Sequence, residues 1–211
     1  MSNYAYVATR ARSRRSRLLP AEAYNQLLNL EHAEIARYIQ DLEYRREIDR
    51  YGSTLSGADL IETALVDNLA KDVGDFLSFS KGKLRDILHV YAEKYRIENL
   101  KNIVRGINQN MDKQNLERLV CPINDSDKEL YNKLYDSKTV EDMISSLEGT
   151  SYYNPLKKAL EARNSDSLQP LEDALDLIYY QNLVSNQPSG GADVDVYRDF
   201  VQLKVDIANI K

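Results

Sequence analysis

ILHVYAEKYRIENLKNIVRGI, residues 87–107, is the stretch of sequence that decides the fold. Its apolar residues recur every three or four positions, as they do along one face of an α-helix. The positions that show this spacing are Ile87, Leu88, Tyr91, Tyr95, Leu100, Ile103, Val104 and Ile107. The same spacing recurs in four further segments, at 60–77, 140–147, 168–183 and 200–210. No convincing alternation of the kind that marks a β-strand is found, so the sequence predicts an all-α fold.

Residues that interrupt helices divide this pattern into segments. Proline lacks a backbone donor and glycine costs helix stability, so both mark boundaries. We expect breaks near Pro20, Gly57, Gly82, Pro122 and Pro188.

The sequence repeats itself at an offset of 110 residues. LIETAL at 60–65 resembles PLEDAL at 170–175, and VYAEKYRIENLK at 90–101 resembles FVQLKVDIANIK at 200–211. These matched blocks place three polar residues on equivalent positions: Glu62 on Glu172, Asn99 on Asn209, and Lys101 on Lys211. Because the blocks occur in the same order, coincidence is a poor explanation, and the pattern indicates a duplicated unit.

The duplication predicts two helical units whose faces pack on their neighbours. We expect the first unit to span residues 1–101 and the second to span residues 102–211. The six matched polar residues are expected to be structural positions of the repeat, since an asparagine inside a helix usually bonds backbone or faces solvent. The first copy continues after Asn-Leu-Lys, whereas the second ends at Asn-Ile-Lys. We therefore expect a third unit to be absent from this sequence.

Composition and charge restrict the kinds of function that the chain can have. The chain has 211 residues, 43% of them hydrophobic, and a net charge of −5, so it has no general attraction to nucleic acid. Cys121 is the only cysteine, which excludes an internal disulfide and fits a reducing cytoplasm. No segment approaches the roughly 20 apolar residues that span a bilayer. Membrane association is therefore expected to be peripheral or through a partner.

An arginine-rich segment, RARSRRSR at 10–17, is the one locally unusual feature of the charge pattern. Its candidate contact residues are Arg10, Arg12, Arg14, Arg15 and Arg17. Three interpretations are open: pairing with acids of neighbouring helices, contact with an acidic protein surface or lipid headgroups, and binding of nucleic acid.

Motifs for catalysis, metal binding or cofactor binding are not found in the sequence. SFSKGK at 78–83 has one glycine and the wrong spacing for a phosphate-binding loop. Asp86 and His89 share a helix face, but a metal site needs further ligands, and His32 lies far away in sequence. The sequence therefore predicts a protein that is not an enzyme, with no metal and no cofactor.

Five motifs in order resemble the C subunit of archaeal and bacterial A/V-type rotary ATPases, which is related to the eukaryotic V-ATPase d subunit. They are YAYVATRARSRRSRLL, IARYIQDLEYRREI, VYAEKYRIENLKNIVRG, LEDALDLIYYQNL and VDIANIK, and the resemblance covers essentially the whole chain. It implies three helical units around a pseudo-threefold axis that form a funnel, of which this sequence has two.

The same resemblance implies a function. The chain would be a non-catalytic rotor subunit that links the central stalk to the membrane proteolipid ring. It would lie at the cytoplasmic face of the membrane as a peripheral subunit, and transmit torque for ion-coupled ATP synthesis or hydrolysis. The alternatives are an unrelated α-helical repeat scaffold, and a nucleic-acid or membrane-surface binder that uses the arginine helix.

Overall fold

A computed structural model describes residues 3–163, 167–186 and 192–210. Those residues form α-helices and no strand, which confirms the predicted all-α fold class. The helices are α1 (Tyr4–Arg15), α2 (Ala21–Leu27), α3 (His32–Gln40), α4 (Arg45–Tyr51), α5 (Gly57–Phe79), α6 (Lys83–Asn108), α7 (Lys113–Arg118), α8 (Asp125–Leu134), α9 (Val140–Ser145), α10 (Tyr153–Glu161), α11 (Gln169–Ser185) and α12 (Ala192–Ile210).

The helix boundaries follow the interrupting residues. Pro20 is the N-cap of α2, and Pro122 lies in the loop between α7 and α8. Gly57 begins α5 at a φ of 62°, and Gly82 is the N-cap of α6 at a φ of 57°. Side chains rarely tolerate such positive φ values, so glycine suits both junctions. The break expected near Pro188 lies outside the described residues.

The first compact unit comprises residues 3–80. Helices α3 and α4 pack against α5. They enclose a small core of Ala36, Ile39, Ile48, Leu60 and Ala64. Helix α1 is tied to the C-terminal half of α5, where the Asn3 amide donates to the Phe79 carbonyl at 2.8 Å.

The second compact unit comprises the described residues from 81 onward and has the larger core. Helices α6, α9, α10 and α11 supply most of its packing. Side chains that are almost completely excluded from solvent include Leu100, Ile103, Leu134, Met143, Leu147, Leu156, Leu171 and Leu175.

The boundary between the compact units lies between Ser80 and Lys81, so α6 belongs with the second unit. The predicted repeat units are defined by duplicated sequence rather than by compactness. An offset of 110 would place the counterparts of Gly57 and Lys83 at residues 167 and 193, and α11 and α12 begin at Gln169 and Ala192. The repeat, its boundary at 101/102 and the funnel stay predictions.

Within the part of the chain that the structure describes, no helix combines the length and the apolar character needed to cross a bilayer.

Candidate interaction surfaces

Arg14 is the arginine of α1 that faces the protein. Its guanidinium pairs with the carboxylates of Asp72 and Asp75 on α5, the latter at 2.6 Å. It also lies over the Phe76 ring, 5.1 Å from the ring centroid. Because the side chain is only 24% exposed and has two anionic partners, Arg14 holds α1 on α5. Of the three interpretations of the arginine segment, intramolecular pairing describes this residue.

Arg10 and Arg17 make other contacts within the first unit. The Arg10 guanidinium lies 4.8 Å from the centroid of the Phe79 ring, a cation–π contact. Arg17 pairs with Glu43 at 2.8 Å, but about half of each side chain is exposed. Exposed ion pairs contribute little to stability, so the Arg17–Glu43 pair is a weak contact.

Arg12 and Arg15 form the outward face of α1. They are three residues apart on one helix, so they lie side by side, and both are exposed. Neither makes an ion pair, a side-chain hydrogen bond or a ring contact with any residue that the structure describes. Among the five predicted contact residues, these two are the ones left to meet a partner, and that contact stays a prediction.

Lys101 and Glu172 lie at one interface, between α6 and α11. Arg105 donates two hydrogen bonds to the Glu172 carboxylate, at 2.7 and 2.6 Å. One turn away, Lys101 pairs with Asp176 at 2.6 Å. The hydrogen bonds with Arg105 lower the pKa of Glu172, and they raise the pKa of Arg105. These two crosslinks fix the position of α6 along α11.

Asn99 is buried and fastens a loop to α6. Its side-chain amide donates to the backbone carbonyl of Cys121 at 2.9 Å, and its oxygen accepts from the Cys121 N–H at 3.3 Å. The amide also donates to the Tyr131 hydroxyl at 3.5 Å. The predicted counterparts cannot be compared, since the Asn209 side chain and Lys211 lie outside the described part of the chain.

Glu62 differs from its predicted counterpart Glu172. It lies exposed on α5 and has no polar partner among the residues that the structure describes. Next to it on the same helix face, Leu65, Val66 and Leu69 expose 39%, 43% and 43% of their surface.

A charged cluster that sequence reasoning missed lies beside a cavity of about 390 Å³ in the second unit. Arg96 donates to Asp127 at 2.7 Å and to Glu93 at 3.2 Å, and the Tyr152 hydroxyl donates to Glu93. Burial acts to lower the pKa of Arg96, but its two carboxylate partners together raise it. His89 also lines the cavity, and burial lowers its pKa.

The cluster crosslinks α6 with Asp127 of α8 and with Tyr152, the N-cap residue of α10. Only the i, i+3 spacing of Glu93 and Arg96 was visible in the sequence, because Asp127 is 31 residues from Arg96 and Tyr152 is 59 from Glu93. Across the described ranges, no three His, Cys, Asp or Glu side chains come close enough to hold a metal ion.

Comparison with known proteins finds several similar sequences, each named as the C subunit of an A-type ATP synthase. The protein from Archaeoglobus fulgidus is 34% identical over 208 residues, which cover 99% of this chain and 59% of that protein. The protein from Haloferax volcanii is 35% identical over 211 residues, covering 100% of the chain and 60% of its own length. The protein from Halobacterium salinarum is 33% identical over 214 residues, which cover 100% of this chain and 61% of that protein.

The chain therefore spans about three fifths of the length of these curated relatives. A sequence profile of the family described as ATP synthase (C/AC39) subunit matches residues 7–211. These matches confirm the resemblance drawn from the five motifs, and the chain belongs to the ATP synthase (C/AC39) subunit family.

Proposed function

We propose that the chain is a non-catalytic rotor subunit of an A/V-type ATP synthase or ATPase. In this role it links the central stalk to the membrane proteolipid ring at the cytoplasmic face, as a peripheral subunit, and transmits torque between them. The observation that carries the proposal is the match of nearly the whole chain to proteins named as the C subunit of A-type ATP synthases.

A rigid contact between α6 and α11 supports a mechanical role. Helix α6 has 26 residues and is therefore about 39 Å long, comparable to the thickness of a small domain. Its C-terminal half is held on α11 by Arg105–Glu172 and Lys101–Asp176. Hydrogen bonds to charged groups are directional, so two of them one turn apart resist both sliding and rotation of the helix.

The outward face of α1 supports one of the partner contacts. Arg12 and Arg15 present two charges without a partner among the described residues, and the first 20 residues contain no acid. An acidic surface on the stalk or the ring is the complementary partner. Nucleic acid is disfavoured as a partner, since the chain as a whole carries a net charge of −5 and Arg14 is committed to α5.

The test is binding of the purified chain to the central-stalk subunits and, separately, to the proteolipid ring of the same organism. We expect Arg12→Ala/Arg15→Ala to weaken one of these interactions about two- to tenfold at low salt, and less at high salt. Arg118→Ala/Lys138→Ala removes the same charge from two exposed positions outside α1 and is the control.

Three results would count against the proposal. Failure of the wild-type chain to bind either component would remove the support for a linking role. Equal weakening by the two double variants would show that net charge, rather than the face of α1, matters. Tight, salt-dependent binding to duplex DNA or RNA would favour the nucleic-acid alternative.

A further inference from the structure

His89 of α6 lines the cavity of the second unit, and its ring is hydrogen-bonded to a neighbour on its own helix. The exposed Arg85, one turn earlier, donates its Nε–H to His89 Nε2 at 3.4 Å. A ring nitrogen that accepts a hydrogen bond carries no proton, so this contact is made by neutral histidine. The bond is longer than usual, and it is therefore easily exchanged for another contact.

Protonation of His89 would place a third positive charge beside two arginines. On α6, the neighbouring charged side chains are Arg85, Asp86, Glu93 and Arg96. On the other elements around the cavity, the titratable side chains are Asp127, Tyr131 and Tyr152. Burial and the two arginines lower the pKa of His89, so its ring takes up a proton only at acidic pH. The protonated Nε2 can no longer accept from Arg85, and it needs an acceptor of its own.

Asp127 of α8 is the acceptor that the cavity offers. Among the described residues that line the cavity, it supplies the one carboxylate. One of its oxygens accepts from Arg96 at 2.7 Å, and the other accepts from the Ile123 N–H at 3.3 Å. A carboxylate accepts about four hydrogen bonds, so Asp127 has capacity left. Its residue is 6% exposed, so water screens its negative charge poorly.

The two carboxylates of α6 are weaker acceptors for the protonated ring. Asp86 is exposed, and exposed ion pairs contribute little. Glu93 does not line the cavity, and its two oxygens already accept from Tyr152 and Arg96. Burial and position therefore both favour Asp127.

We infer that His89 is a pH-operated switch that bonds Arg85 at neutral pH and turns into the cavity at acidic pH, where its protonated ring pairs with Asp127. A cavity of about 390 Å³ has room for an imidazole ring, so neither α6 nor α8 has to move to admit it. The Asp127 N–H is bonded to the Asn124 side chain at 2.9 Å, so the switch acts on the N-terminal turn of α8. The switch is separate from the arginines of α1, and it operates whether or not the chain is a rotor subunit.

The experiment is a pH titration of the full chain followed by NMR, from about pH 8 to about pH 5. The ring signals of His89 give the midpoint of its protonation, and the backbone amides of residues 123–127 report on the start of α8. We expect these amides to shift with the same midpoint as the ring. At the acidic end, nuclear Overhauser contacts should appear between the ring protons of His89 and the β protons of Asp127, and at the alkaline end they should be absent.

Four variants separate the switch from other effects of pH. His89→Gln removes the titrating group and should abolish this shift of the amides, whereas His32→Gln, at an exposed histidine of the first unit, should preserve it. Arg85→Ala removes both the donor and a neighbouring positive charge, so the midpoint of His89 should rise by about 0.2–0.4 pH unit. Arg118→Ala, at an exposed arginine of α7, should leave the midpoint unchanged.

Three outcomes would overturn the inference. The first is that the amides of residues 123–127 shift equally in the wild-type and His89→Gln chains. The second is that the ring of His89 becomes protonated without any Overhauser contact to Asp127. The third is that Arg85→Ala leaves the midpoint where Arg118→Ala leaves it.

Discussion

Removing the Asn99 side chain tests how much the hydrogen bonds of a buried asparagine stabilise this protein. The side chain is 7% exposed and bonds both the carbonyl and the N–H of Cys121. Asn102, one turn later on α6, makes a similar but single contact, donating to the Leu119 carbonyl at 3.1 Å in an exposed position. Asn99→Ala and Asn102→Ala are therefore the same chemical change on the same helix, at a buried and a half-buried residue.

The expected magnitude follows from the hydrogen bonds that each substitution removes. In Asn99→Ala, two backbone groups of Cys121 lose their bonds, and an unsatisfied buried group costs about 1–3 kcal/mol. Because Cys121 is only partly buried, water can reach the loop and the lower end of that range applies. We expect the free energy of unfolding to fall by about 2–4 kcal/mol. For Asn102→Ala, one exposed bond is exchanged for water, so a loss of about 0.5–1 kcal/mol is expected.

The assay combines urea unfolding followed by circular dichroism with the rate at which a thiol reagent labels Cys121. Asn99→Ala should lower the unfolding midpoint and accelerate labelling, since the released loop exposes the thiol. Asn102→Ala should change both much less. If the two variants lose the same stability, or if Cys121 reacts at the wild-type rate in Asn99→Ala, then Asn99 does not hold this loop and the reasoning is wrong.

Two further predictions test the charged contacts. Burial and two neighbouring arginines lower the pKa of His89 below its ordinary 6.5, so the unfolded chain binds a proton more readily than the folded one. Stability should fall as the pH drops below about 6.5, and His89→Gln should flatten that part of the profile, as measured by urea unfolding at about pH 7.5 and about pH 5.5. Arg14→Met leaves two aspartates of α5 without their cation and should cost the first unit about 1–2 kcal/mol. Arg12→Met, on the outward face, should be nearly neutral, and thermal unfolding followed by circular dichroism measures both variants.

The fold class was predictable because helical periodicity and helix interruption are local properties. The apolar patterns at 60–77 and 87–107 correspond to α5 and α6. Glycines with positive φ mark the start of each helix: Gly57 begins α5, and Gly82 precedes α6. The division into compact units was not predictable by the same means. It depends on contacts such as Lys101–Asp176, whose partners are 75 residues apart, and no local pattern reports such a pairing.

The contacts of the individual arginines at 10–17 could not be predicted from the sequence either. In the sequence the five arginines are equivalent, since each is a cation in one helix. Their roles diverge because the rotation of α1 on α5 points Arg14 at Asp75, 61 residues away, and points Arg12 at solvent. Helical spacing alone shows that Arg12 and Arg15 share a face, but only the packed partner decides which face is outward.

The polar contacts of α6 are compatible with the force-bearing role that the proposed function would give this helix. Between residues 93 and 105 it is bound on three sides: to α8 and Tyr152 through Arg96 and Glu93, to the Cys121 loop through Asn99, and to α11 through Lys101 and Arg105. Apolar packing supplies most of the stabilising free energy, but it is non-directional and permits small rotations. Hydrogen bonds and ion pairs fix one rotation and one axial register. If torque passes through this protein, the load must be carried without α6 slipping, and polar contacts on three sides of one short segment oppose slippage in every direction.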